Sequence, residues 1–222
     1  MLKQGVKETK MYATKKIGNT KYFSSIKQRK GSIILNSLQQ NLSLDTDSSV
    51  FEYDNVMRLA ADPPVVFLKL TYGRKNLGFL HICLDGLPRH AQQFMELATG
   101  SSSRGSYINA RFDKRIYEKG KPGEYVCCHG FINAAGATDT ASICQVEDCE
   151  TIETPVTEGI VFGWSGQCSG FWIFTKSSST PWGKPVIGHV ISGMSQLKAA
   201  IKKYVANNIV FTECGVILSS SV

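Results

Sequence analysis

The chain is short of several things at once. It has no run of about 18 apolar residues, the least a helix needs to cross a bilayer, and its opening stretch carries no apolar segment of the secretory kind. Acidic residues are nearly missing from the start: residues 1–30 hold one, Glu8, against nine Lys and Arg. There is no glycine-rich phosphate loop, no His-Glu-x-x-His pair and no Ser-His-Asp spacing, so the usual warrants for nucleotide, zinc-protease or serine-hydrolase chemistry are missing. No motif implies a cofactor. Cysteine is present in an odd number, seven, at irregular spacing (83, 127, 128, 144, 149, 168 and 214), too sparse for a small disulfide scaffold. A reducing compartment, nucleus or cytoplasm, is the expectation.

Cys127, Cys128 and His129 with Cys144 and Cys149 invite a zinc reading. Adjacent strand residues point to opposite faces, and C-x4-C without a second tight pair is a poor ligand signature. Buried small thiols are expected there, and no metal site.

What is present is enough to build a domain. The chain has 222 residues, 42% of them apolar. The net charge of +7 is concentrated at one end, because residues 31–222 hold 16 basic and 17 acidic residues. Residues 1–31 read as a mobile, lysine-rich tail. Such a run either stays solvated, serves as a nuclear import signal or attracts phosphate backbones, so Lys3 to Lys30 is the candidate contact for nucleic acid. Ile33, Ile34, Leu35, Leu38 and Leu42 recur at near-helical spacing, which predicts short helical pieces in a linker over 32–62. That linker is also a candidate partner-binding segment.

The organising stretch is Gly159 to Gly193, which carries all three tryptophans, Trp164, Trp172 and Trp182. Phe171–Phe174 and Pro185–Ile191 read as strands within it, joined by a Ser/Thr/Pro-rich break. Aromatics on alternate positions of adjacent strands build either a core or the floor of a groove. Before it, Asp62-Pro63-Pro64 releases the chain into extended structure. Val65–Leu70 and Leu77–Leu84 form a predicted hairpin around Tyr72–Asn76. Pro88 starts a predicted helix with Ala91, Phe94, Met95 and Ala98 on one face and Gly100 at its end. His90 on that helix is expected to be exposed, whereas His81 and His189 are read as strand packing residues. Tyr107–Tyr117 and Tyr125–Ile132 read as strands, and 133–158 as an acidic surface excursion. Met194, Leu197, Ala200, Ile201 and Tyr204 predict a second helix, and Ile209–Ile217 a closing strand. Many short strands with two helices suit a mainly β, closed barrel whose ends the helices plug.

The spelling of these pieces resembles the cyclophilin family of prolyl isomerases. Residues 65–100 resemble its opening hairpin and first helix, including a P-x-x-A-x-x-F-x-x-L-x-T-G pattern from Pro88 to Gly100. Residues 170–175 are similar to its SQFFI-x-T strand, 183–194 to its GKHVVFG signature and 211–217 to its closing I-x-x-CG strand. The resemblance covers 65–217 in consistent order. It implies an eight-stranded antiparallel barrel capped by two α-helices over 63–218, followed by a short tail at 219–222 and preceded by an N-terminal extension.

It also implies where the chemistry belongs. X-Pro rotation faces a barrier of about 18–20 kcal/mol because the amide is resonance-stabilised. In the family an arginine disfavours that resonance, an apolar pocket holds the proline ring, and a glutamine positions the arginine. Aligning Phe112 on the family's Phe-His-Arg strand puts Lys114 at the catalytic slot, a flexible point charge in place of a planar fork. Arg115 points to the other face and reaches that slot only through a bulge or register slip. The family's FM-x-QGG becomes Tyr125-Val126-Cys127-Cys128-His129-Gly130. Tyr125 and Val126 thus take pocket positions, Cys128 the glutamine position and His129 that of a glycine. Ser165 falls near the substrate-binding asparagine, with Trp164 beside it. Trp172 replaces the pocket phenylalanine, Trp182 matches the family tryptophan and Pro185 stands for the pocket histidine. The two new tryptophans either fill the proline pocket or reshape it. The resulting expectation is a cyclophilin-like protein-interaction module, a catalytically impaired isomerase that binds a protein partner or Pro-containing peptide. An active, atypical isomerase and a factor held on nucleic acid by the tail are the alternatives.

Overall fold

The computed structural model describes residues 10–29, 31–40, 42–44, 46–114, 116–144, 153–164 and 168–218. The chain opens with β1 (Met11–Ile17), β2 (Thr20–Arg29), β3 (Ser32–Asn36), β4 (Ser49–Glu52) and a short α1 (Tyr53–Met57). The long hairpin β5 (Ala60–Tyr72) and β6 (Lys75–Cys83) leads to α2 (Pro88–Thr99). Short strands follow: β7 (Gly105–Ser106), β8 (Ile116–Tyr117), β9 (Tyr125–Cys128), β10 (Phe131–Asn133), β11 (Thr138–Asp139) and β12 (Thr154–Val156). The tryptophan stretch supplies β13 (Ile160–Gly163), β14 (Phe171–Phe174), β15 (Ser178–Trp182) and β16 (Val186–Ser192). The chain then forms α3 (Met194–Lys203) and β17 (Ile209–Leu218).

Local chemistry explains the elements that the sequence located well. Pro88 occupies the first turn of α2, where its missing N–H removes no helical hydrogen bond, and Gly100 ends the helix at φ 64°. The alternation in β5 and β6 turns Leu68, Leu70, Leu80 and Ile82 onto one buried face. α2 and α3 lay Phe94, Leu97, Leu197 and Ile201 over the same core.

The expected closed barrel is not formed. Among the described residues twelve strands make one open sheet in the order β4-β1-β2-β3-β17-β5-β6-β16-β13-β14-β9-β8, and the others pair as β11-β10-β7 and β12-β15. Two observations account for the opening. Of the expected strand Tyr107–Tyr117 only Ile116–Tyr117 is one: over 107–114 the chain is irregular and meets β17 through one isolated bridge, Arg111 to Val210. The C-terminal half of β17 is engaged elsewhere, with Gly215–Leu218 paired to Asn36–Ile33 of β3. The last strand therefore pairs with β5 along its whole length on one edge and gives the second half of its other edge to the extension.

The extension also differs from expectation. Within the supposed mobile tail, residues 11–29 form the β1–β2 hairpin, and within the supposed helical linker, residues 32–36 form β3. The physical reason is a second apolar cluster, in which Ala13, Leu35, Leu38, Tyr53 and Val56 pack with Val216 and Leu218 of β17. Burial of that face outweighs the local helical spacing of 33–42. Among the described residues no helix is long and apolar enough to cross a membrane.

Candidate functional site

The sheet has two faces where β13, β14 and β9 run side by side, and the register decides which residues meet. Phe162, Trp172 and Cys127 stand in one cross-strand row. Phe174, Tyr125 and Tyr117 stand in the next. These six share the outer face, while Val126, Cys128, Phe171 and Ile173 point into the main core. Phe112 joins them there, edge-on to Phe211 at 5.0 Å between ring centres. Three expected groove residues, Phe112, Val126 and Cys128, are therefore interior packing residues. Cys127 stands on the outer face where Cys128 was expected. Strand alternation fixes this, since Tyr125 and Cys127 must share a side.

Trp182, from β15, closes over the outer face. Its ring is edge-on to Phe174 at 4.9 Å, to Tyr125 at 5.2 Å and to Trp172 at 5.7 Å. Trp164 covers Trp172 from the other side, with ring centres 4.6 Å apart. Room for that ring depends on Gly170, where a Cβ would sit 2.6 Å from the Trp164 Nε1. Lys184 places its ammonium 6.0 Å from the Trp172 ring. As a result Trp172 is only 6% exposed. Pro185 is buried at the start of β16, its carbonyl accepting from the Gly163 N–H at 2.8 Å.

Beside the aromatics sits a polar chain centred on Asp113. Its carboxylate accepts from the Tyr117 hydroxyl at 2.9 Å and from the Lys114 backbone N–H at 2.6 Å, and lies 3.2 Å from the His129 Nε2. The other ring nitrogen of His129 is 3.7 Å from the Cys127 sulfur. Partial burial opposes ionisation of Asp113, but the Tyr117, His129 and Lys114 contacts outweigh it and hold the carboxyl below its ordinary range. The same hydrogen bond, then burial, pushes Tyr117 up to about 12. Cys–His–Asp connectivity is the geometry of an activated thiol. Activation fails here, because burial drives the Cys127 thiol well above its usual range and leaves it 1% exposed. The chain positions His129, whose ring lies 5.9 Å from that of Trp164. A side chain thus stands where the family pattern has a glycine.

Lys114 is exposed on irregular chain, not on a strand. Ser165 and Arg115 lie outside the described residues. His90, expected at the surface, is 4% exposed, and neither ring nitrogen has a hydrogen-bond partner. Among the described residues no three His, Cys, Asp or Glu side chains gather as a metal-ligand set. Sequence reasoning missed Tyr117, Phe162, Phe174, Cys127 and the Asp113–His129 contact. The period of two counted outward from Trp172 and Tyr125 was the available signal for the first four.

Architecture and comparison agree on a class: the fold is cyclophilin-like and mainly β, with no sheet closed into a barrel among the described residues. No family model matches the chain, and no curated protein does. Among solved structures it is similar to the Mimivirus cyclophilin, with 17% identity, a TM-score of 0.50, and 73% of this chain and 93% of that one covered. At that identity the likeness is one of fold.

Proposed function

We propose that the chain is a cyclophilin-like protein-interaction module whose prolyl-isomerase chemistry is impaired, and that it works in the nucleus or cytoplasm. The observation that carries this reading is the burial of Trp172. In the residue-by-residue alignment Trp172 stands on the floor of the proline pocket, and Trp164, Trp182 and Tyr125 of the same chain already pack against it. A proline ring must displace one of these aromatic rings to enter. The catalytic slot adds to the argument, since an exposed lysine lacks the planar fork that would grip a prolyl amide. The buried Cys128 thiol, pushed up to about 12, supplies no amide to hold a cation in place.

A protease-coupled assay on an X-Pro peptide tests the reading. The expected result is a rate equal to the uncatalysed one. Catalysis within about tenfold of an ordinary cyclophilin, roughly 1.4 kcal/mol of barrier, overturns it. Partner binding is tested separately, by whether a protein captured from cells is released when Trp182 or Lys184 is replaced by Ala.

A further inference from the structure

We propose that the β5–β6 turn and the end of α3 form one patch that lies flat on an anionic lipid bilayer. Two stacked rings join the elements. Tyr72 closes β5 and Tyr204 follows α3, with ring centres 4.1 Å apart and planes 22° from parallel. Four cations surround them. Lys75 lies directly across the hairpin from Tyr72, and Arg74 is in the turn between. Lys202 and Lys203 sit in the last turn of α3, and the Lys203 ammonium is 5.7 Å from the centre of the Tyr204 ring. All four are exposed and have no acidic partner among the described residues. The segments that build the patch supply no acid of their own, since neither 63–84 nor 159–212 contains an Asp or Glu. Apolar surface stands beside the charge: Val205 is 50% exposed and Tyr72 37%. The tip of the turn is clear of the rest of the molecule, because a Cβ at Gly73 would meet nothing within 4 Å.

The shape of the patch decides which anion it fits. An extended acidic peptide needs a free strand edge or a groove. Tyr72 is paired to Lys75 on one side and to Ile209 on the other, so no edge is open beside it. A nucleic acid strand held without sequence preference stacks its bases on aromatic faces. Here the two rings are stacked on each other, and Val205 offers a phosphate backbone nothing. A bilayer needs neither an edge nor a stacking platform. Its anionic headgroups attract the four cations, amphipathic tyrosines suit the headgroup level, and Val205 reaches the acyl boundary. The patch shares no residue with the Trp172 face, so this assignment stands apart from the reading of that face.

The test is co-sedimentation of the full chain with phosphatidylcholine vesicles containing about 30% phosphatidylserine, at several salt concentrations. Wild type is expected to pellet with these vesicles at low salt, to be released as salt rises, and to ignore pure phosphatidylcholine. Replacing Arg74, Lys75, Lys202 and Lys203 together by Ala is expected to lower affinity at least about 25-fold, two cations' worth at about fivefold each. An unchanged circular dichroism spectrum and melting temperature show that the variant folds. Val205→Ser, a single change at an exposed position, is expected to weaken binding several-fold while leaving the salt dependence intact. The proposal is overturned if wild type does not pellet with the anionic vesicles or pellets equally with pure phosphatidylcholine. It is also overturned if the quadruple variant binds as well as wild type, which would move the contact to another basic surface. Tighter binding of polyglutamate or of an oligothymidylate than of the vesicles overturns it as well.

Discussion

The indole of Trp164 lies against that of Trp172, ring centres 4.6 Å apart, and Gly170 provides the space that lets it do so. One aromatic ring therefore closes the surface that a second one floors. Trp164→Ala is expected to cost about 2 kcal/mol in urea denaturation, below the roughly 3–5 kcal/mol of a fully buried aromatic, because Trp164 is only half-buried,. Gly170→Ala is expected to destabilise by displacing the same ring.

Cys127 reports on that closure. Burial holds its thiol in the protonated form, and the thiolate is the reactive species. The expected outcome is no labelling of Cys127 by a maleimide in the native protein at neutral pH. Labelling is expected to become measurable in Trp164→Ala, with the site mapped by mass spectrometry. Equal labelling in both proteins would show that Trp164 does not gate the face.

Restoring the family's cation is not expected to restore catalysis. Lys114→Arg supplies a guanidinium, but Lys114 sits on irregular, exposed chain, and the groove beside it stays filled. The X-Pro isomerisation rate of Lys114→Arg is predicted to remain at the uncatalysed value.

Acid destabilises the protein through His90. Burial, with no hydrogen-bond partner on either ring nitrogen, lowers its pKa below 6.5. Above pH 6.5 neither folded nor unfolded chain holds the proton. As pH falls through 6.5 the unfolded chain takes it up and the folded chain does not, so stability drops by up to about 1.4 kcal/mol per pH unit. The loss ends once pH passes the folded value. Asp113 contributes in a separate window. Its folded pKa is depressed, so its stabilisation is present above the ordinary carboxyl value and is lost as pH falls through the folded one. Urea midpoints between about pH 7 and 5 should fall for wild type and stay level for His90→Leu.

The extension is predicted to unfold with the rest of the sheet rather than before it. Leu35 is fully buried against Val216 and Leu218 of the last strand. Leu35→Ala is therefore expected to lower stability by about 3 kcal/mol in one cooperative transition. Two separate transitions would show the extension to be an independent unit.

The barrel elements were legible because each carries its own local signal. Pro88 and Gly100 bracket α2, alternation writes out the β5–β6 hairpin, and Met194 to Tyr204 keep helical spacing. The extension was not, because its lysines suggest a solvated tail while Ala13, Leu35 and Tyr53 reveal a core only when Val216 and Leu218 are beside them. Barrel closure failed for a similarly non-local reason: β17 has one free edge, and β3 takes half of it. At the site, the tryptophans and Tyr125 announced themselves. The side on which Cys127 and Cys128 fall depended on strand register, and the Asp113–His129 contact joins residues sixteen apart across a loop.

Magnetisation-transfer NMR on an X-Pro peptide tests the central claim most directly, because it needs no coupling protease and reads cis–trans exchange itself. At equimolar protein the exchange rate is predicted to equal that of the peptide alone, on the order of one event in tens to hundreds of seconds. Exchange cross-peaks that grow in proportion to added protein would contradict the account.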